Sequence, residues 1–367
     1  VDFAFTEEQE MLRNQARTFL DEKFPIDRVA AIATGEGDAD DDDMSWGELA
    51  ELGWVGLSVP EADGGAGMSF LEESVLFEET GRALYPGPFF STIGLTLPLL
   101  SGDLLQAVLA GERTTTLAWA EPSSPYGLGH TDQLGTKAER SNGGWTLTGE
   151  KHLIPLGGHG GAVLVVAAAA EGTGVWAVDL GATGASASEL STMDGTRRLG
   201  RLELSGAVAD VVVAPGEADS PLAIVRRRAL AALALEAVGI ATKALELSME
   251  HVKTRQQFGK AIGSYQAVSH QVADTYVETE LARSVAYWAA WCVAEDDDQA
   301  AVAVAAAKSA AAEAAVGACE RAIQVHGGIG FTWEHPLHLY YKRAQWIDSF
   351  EGFGATHRAE VATSLFG

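Results

Sequence analysis

Four helical runs follow one another in the C-terminal part of the chain, and no other feature restricts the fold as much. They cover residues 222–252, 265–294, 300–323 and 336–347, separated by short connections. Roughly thirty residues at 1.5 Å each make a rod about 45 Å long. Rods joined by short connections bury their apolar stripes against one another, which predicts an antiparallel four-helix bundle. The run at 300–323 is alanine-rich, so its helix propensity is high and its neighbours pack closely. The acidic stretch EDDD at 295–298 closes the run before it.

Upstream the pattern changes twice. Thr6, with Gln9 three residues on, has the form of a capping box, and Met11, Leu12, Ala16, Phe19 and Leu20 mark one apolar face of a first helix. GEGDADDDD at 35–43 repels itself and reads as a solvated loop, not as a calcium loop, which needs a set alternation of ligands and a closing Glu. Helical spacing returns at 45–52, 70–84 and 95–109. From Thr114 the pattern becomes short, turn-bounded strands at 114–119, 144–150, 162–168, 174–179, 199–204 and 209–214. The expectation is an α+β chain of three segments. An N-terminal helical domain takes 1–112, a compact antiparallel, barrel-like β domain takes 113–218, and the C-terminal bundle takes 219–367.

With 25 Lys and Arg against 51 Asp and Glu, the net charge is -26. That disfavours nucleic acid or an anionic membrane as the main partner, since both need a positive footprint. Cys292 and Cys319 lie in helical sequence without Cys-x-x-Cys spacing, so they read as buried small residues. No basic segment followed by an apolar run opens the sequence, and the long apolar tracts are alanine-rich or interrupted by polar residues. The expectation is a cytoplasmic protein with neither a signal segment nor a membrane span.

The chemistry-bearing residues gather near the bundle. In CERAIQVHGGIGFTWEHPLHLYYKRAQWIDSFEG, at 319–352, a helix runs into Gly327, Gly328 and Gly330, aromatics follow, and Glu351 closes the stretch beside Gly352. Adjacent glycines permit a sharp turn and the close approach of a large ligand. His326, His335 and His338 are separated by Gly and Pro, and no helix aligns them as metal ligands. Between the first two long runs, RQQFG at 255–259 offers a guanidinium, an amide and an aromatic face, a set suited to the phosphates and base of a nucleotide. The arginines at 226–228 fan over three helix faces and cannot meet one ligand together. Phosphate-loop, H-E-x-x-H and G-x-S-x-G patterns do not occur.

RQQFGKAIGSYQAV at 255–268, QVHGGIGFTWEHP at 324–336 and the closing FEG at 350–352 occur in the order and spacing of the acyl-CoA dehydrogenase family. The chain resembles that family over essentially its whole length. The resemblance implies a tetramer with FAD lying across subunit interfaces. Arg255, Gln257, Phe258 and Gln266 correspond to the cross-subunit FAD contacts, and Gln324, Gly327 and Gly328 to the cradle of the phosphate–adenosine half. Glu351 corresponds to the base that removes the α-proton of an acyl-CoA thioester while the β-hydride passes to the flavin, giving the trans-2-enoyl-CoA. Electron-transfer flavoprotein is the implied electron acceptor. Family members that place the base on the first bundle helix have it where this chain has Arg228 and Ala229.

The β segment departs from the family pattern. Where relatives carry Thr-Glu-Pro, this chain has Ala120, Glu121 and Pro122, and the Gly-Ser-Asp element that follows in the family is missing from AWAEPSSPYGLG at 118–129. Leu153, Ile154 and Pro155 replace Trp-Ile-Thr beside the flavin ring, and proline supplies neither an amide hydrogen nor a hydroxyl. Three readings follow. The chain is a self-sufficient homotetrameric dehydrogenase; or it is the partner subunit of a heterotetramer of the actinobacterial, sterol side-chain kind, completing the other chain's FAD site while its own is degenerate; or it is a noncatalytic scaffold on the same fold.

Overall fold

The computed structural model describes residues 5–36, 42–122, 127–128, 134–141, 144–156 and 161–367. The chain forms two compact units, one helical, from residues 1–37, 69–85 and 230–367, and one containing the sheet, from 38–68 and 86–229.

The helical unit starts with α1 (Glu7–Lys23) and α2 (Ile26–Thr34). The capping box closes as expected: the Gln9 amide donates to Thr6 Oγ1 at 3.2 Å and the Thr6 amide to Gln9 Oε1 at 3.1 Å. Of the predicted apolar face only Ala16 and Leu20 are buried, and Met11 is 72% exposed. α4 (Phe70–Ala83), capped by Ser69, is buried almost all round although it carries Glu73, Glu78, Glu79 and Arg82. Its charges are matched. Glu79 accepts from Arg17 at 2.7 and 3.0 Å, Arg82 donates to Asp21 and Glu246 at 3.1 Å, and Glu78 accepts from Tyr287 at 2.8 Å and from Arg283.

The long elements are α6 (Asp219–Thr254), α7 (Gln266–Ala294), α8 (Ala300–His326), α9 (Leu337–Ser349) and α10 (Gly354–Phe366), with α7, α9 and α10 all packed on α8. Backbones touch where α4 meets α6: a Cβ on Gly81 would lie 2.1 Å from Glu236 O, and one on Gly239 2.0 Å from Glu78 O. By length and composition alone α8 is apolar enough to cross a membrane, and most of its apolar window is buried against its neighbours in the bundle, in keeping with the expectation of no span there.

The other unit holds α3 (Asp42–Glu51), α5 (Gly102–Leu109) and seven strands: β1 (Thr115–Ala118), β2 (Lys137–Ser141), β3 (Gly144–Pro155), β4 (Ala162–Ala169), β5 (Gly172–Asp179), β6 (Ala185–Leu190) and β7 (Leu199–Val213). The ring β4-β2-β3-β7-β5 closes through a β4–β5 pairing, β1 adds to β4, and β6 adds to β7. Leu147, Ile154, Val163, Val165, Trp176, Leu202 and Leu204 fill the interior.

Four expectations need correction. The sheet is not wholly antiparallel, because β1 runs parallel to β4. β7 is one strand where two were expected, since its pairing with β3 runs on from Leu199 to Ala209, where pairing with β5 takes over. Residues 95–109 are not one helix. A buried π-helical stretch, Phe90–Thr96, passes into a 3-10 turn containing Pro98, and Ser101 separates that turn from α5. Of the acidic run at 35–43, residues 37–41 lie outside the described residues, and Asp42 already opens α3.

Candidate functional site

α8 ends at His326 because Gly327 takes φ 65, ψ -138, a conformation that side chains exclude. The three glycines that follow His326 differ in what fixes them. A Cβ on Gly330 would lie 2.7 Å from Ile323 O, so packing within the chain requires glycine there. At Gly327 and Gly328 a Cβ would meet nothing within 4 Å. The space above the Gly327–Gly328 turn is open, and Gln324 borders it, exposed.

α6 and α7 are joined by a two-stranded hairpin, β8 (Gln256–Gln257) and β9 (Lys260–Ala261). Its two turn residues, Phe258 and Gly259, have φ 52 and 81, the signs of a type I′ turn. Phenylalanine rarely adopts that conformation, and this one is 94% exposed. Tyr265 braces the hairpin, donating from its hydroxyl to Gln257 O at 3.1 Å, with Lys260 Nζ over its ring at 4.1 Å. Arg255, Gln257 and Gln266 are exposed beside it.

A histidine stack joins hairpin and turn. His251, one turn before Arg255, lies on His326 with ring centroids 4.2 Å apart, and His335 follows at 4.5 Å from His326. Burial and the neighbouring histidines hold His335 down at about 4. Burial, then His326 and Arg255, lowers His251; burial lowers His326 against its bond to Ala322 O; burial and Lys342 lower His338. Among the described residues no three His, Cys, Asp or Glu side chains converge as metal ligands.

Glu351 sits elsewhere. It follows α9, is buried, and takes the left-handed φ of 58. From α8, Lys308 reaches toward this loop, its Nζ donating to Asp348 O at 3.2 Å. Eighteen residues of helix separate Lys308 from His326, about 27 Å. The seven expected cofactor contacts therefore gather at one end of the bundle, and the expected base lies far along α8 from them.

In the β unit, Glu121 is committed to structure. It accepts from Lys151 Nζ at 2.7 Å and from the amides of Gly135 and Thr136 at 2.5 and 3.0 Å, while Lys151 also donates to Trp119 O at 3.2 Å. Burial pulls the Lys151 ammonium down to about 8 against the pull of Glu121. Burial pushes the Glu121 carboxyl up, and Lys151 and the amides more than offset it, leaving it below its usual range. Ala120 is buried, and its carbonyl accepts from His152 N at 2.9 Å. Leu153 has φ 53 at an irregularity in the β3–β7 pairing, Ile154 enters the core, and Pro155 O accepts from Thr116 Oγ1 at 2.6 Å. Of the loop at 118–129, residues 123–126 and 129 lie outside the described residues.

The residues fit the two halves of a flavin nucleotide unequally. Exposed guanidinium, amides, an aromatic and an open glycine turn suit the phosphates and adenosine. Ala120 has no hydroxyl, and Pro155 has neither a hydroxyl nor an amide hydrogen, to donate to a flavin ring. Sequence reasoning missed Lys151, Lys308 and His357. The available signal was a lone cation inside apolar sequence, as in VAAAKSAAA.

The acyl-CoA dehydrogenase C-terminal domain family matches residues 227–366, and the N-terminal domain family matches 6–102. The chain is 35% identical over 340 residues to acyl-CoA dehydrogenase IpdE2 of Mycobacterium tuberculosis, covering 92% of this chain and 91% of that protein. It is 34% identical over 348 residues to acyl-CoA dehydrogenase FadE34 of the same organism, covering 94% of this chain but only 45% of that longer protein. Among solved structures it resembles the Tcur3481-Tcur3483 steroid ACAD, with TM-score 0.83 and 31% identity over 98% of both chains. It also resembles the ChsE4-ChsE5 complex from Mycobacterium tuberculosis, with TM-score 0.86 and 26% identity over 100% of this chain and 99% of that one. The family matches, the identity to IpdE2 and the shared architecture agree: the chain belongs to the acyl-CoA dehydrogenase family.

Proposed function

We propose that this chain is one subunit of a heterotetrameric acyl-CoA dehydrogenase. It completes the FAD site of a related chain with Arg255, Gln257, Phe258, Gln266, Gln324, Gly327 and Gly328, and its own flavin pocket is degenerate. The observation that carries this reading is the contrast between an intact phosphate–adenosine end and a ring end where Ala120 offers no hydroxyl and Pro155 neither hydroxyl nor amide hydrogen. Relatives solved as a complex and as a steroid enzyme support both the partnership and a bulky, steroid-derived acyl-CoA as substrate. The remaining parts of the reading are a division into segments 1–112, 113–218 and 219–367, electron-transfer flavoprotein as acceptor, and a cytoplasmic setting in keeping with two free thiols.

The flavin, when bound, supplies a hydride acceptor for the β-carbon of the thioester. Of this chain's residues, Arg255 would hold the pyrophosphate through its guanidinium, Phe258 would offer its ring to the base, and the Gly327–Gly328 turn, free of side chains, would let the phosphates approach closely. A second reading, a self-sufficient homotetramer, is favoured by one observation: Glu351 is retained and buried. In that reading its carboxylate takes the α-proton.

An asymmetric pair of substitutions tests the proposal in the assembly co-expressed with a related subunit. Arg255→Ala should strip FAD from the assembly, and Leu153→Arg, in the chain's own degenerate pocket, should leave FAD content unchanged. The reverse pattern would contradict the proposal.

A further inference from the structure

Three backbone carbonyls flank Glu351, and each receives a hydrogen bond from a buried side chain. Lys308 Nζ donates to Asp348 O at 3.2 Å, His357 Nε2 to Gly352 O at 3.1 Å, and Ser309 Oγ to Gly354 O at 3.2 Å. Ser309 in turn accepts from Arg358 at 3.0 Å, which leaves its own proton for Gly354. Lys308 and His357 are both 0% exposed. A carbonyl only accepts, so Nε2 is the protonated nitrogen of His357.

The segment these bonds hold is not a relaxed one. Glu351 and Gly352 take successive positive φ of 58 and 103. A glutamate reaches that conformation only when its surroundings impose it. Lys308 is the only charged residue between positions 300 and 312 of α8, and burying an ammonium in an alanine-lined bundle is costly unless its bonds are used.

We propose that Lys308 and His357 are positioning residues for Glu351, fixing the left-handed backbone from which its carboxylate is presented. The catalytic part of this inference rests on Glu351 acting as a base. The conformational part does not. Pinning the loop at three carbonyls removes the extended conformations in which the carboxylate would swing away, and a displacement of about 1 Å at a reacting group lowers rate by about 10²-fold.

The test uses the FAD-loaded assembly with His357→Leu, which removes the donor, His357→Gln, which keeps one at the same reach, and Ser309→Ala; Lys308→Met is added if it folds. Hydrogen exchange of the peptide spanning 348–356 reads the conformation, and kcat and KM read the chemistry. His357→Leu should speed exchange by about tenfold, and, in the reading where this chain's Glu351 is the base, lower kcat by about 10- to 100-fold with KM nearly unchanged; His357→Gln should restore whichever is lost. Unchanged exchange in His357→Leu overturns the proposal. So does faster exchange with normal kcat in an assembly that Glu351→Gln inactivates. If Glu351→Gln leaves turnover intact, the assignment of the base fails, and exchange alone decides whether the clamp exists.

Discussion

The rings of His251 and His326, seventy-five residues apart in sequence, stack with centroids 4.2 Å apart, and that contact brings their two stretches into one surface. It ties the root of the Arg255–Gly259 hairpin to the turn at Gly327. Neither stretch by itself distinguishes a nucleotide site from an ordinary interhelical connection.

The stack predicts acid sensitivity. His251, His326, His335 and His338 all have folded pKa values below the ordinary imidazole value, and His335 lies at about 4. As pH falls from about 6.5 the unfolded chain takes up these protons before the folded one, so stability decreases on acidification through that window. Thermal melts of wild type and His335→Phe between pH 7 and 4 check this. The variant's slope should be shallower by up to about one proton.

Phe258 should behave as a strained residue kept for binding. Phe258→Gly relieves the left-handed φ of 52 and should leave stability unchanged or raise it by up to about 1 kcal/mol. It should weaken FAD retention by the assembly about tenfold, since the exposed ring no longer covers the base. Denaturant melts and FAD titration of the stripped assembly measure the two effects separately.

Lys151 and Glu121 hold the barrel where it passes Trp119. Lys151→Met leaves a buried carboxylate without its cation and should cost about 3–5 kcal/mol in denaturant unfolding. Adding Glu121→Leu should recover only part of that loss, because the amides of Gly135 and Thr136 then lose their acceptor.

Where α4 crosses α6 there is no space for a side chain. Gly239→Val places carbon against Glu78 O, 2.0 Å from where a Cβ would lie, and should destabilise by about 3 kcal/mol. A surface control such as Met11→Gln should change stability by less than about 0.5 kcal/mol.

Much of the architecture was legible in the sequence because its signals are local. The ends of α7 and α8 follow from Glu295 and Gly327, and the start of α1 from Thr6 and Gln9. β2 and β6 escaped notice because KAERS has a single apolar residue and ASASEL alternates only small alanines with serines, both strands being largely exposed. The union of β7 depends on its pairing with β3, a long-range contact. The glycine turn, the hairpin and Glu351 were readable as motifs. What was not readable is that Lys308, hidden in an alanine run and about 27 Å along α8 from His326, reaches the loop carrying the glutamate.

The central claim is that the chain's adenosine-end contacts serve a neighbour's FAD and its own ring pocket is degenerate. The measurement that tests it most directly is the ratio of FAD to protein, determined for the chain purified alone and co-purified with a related subunit. The account predicts a nearly colourless protein alone and about one FAD for every two chains in the assembly. Full loading of the isolated chain, one FAD on every copy, would contradict it.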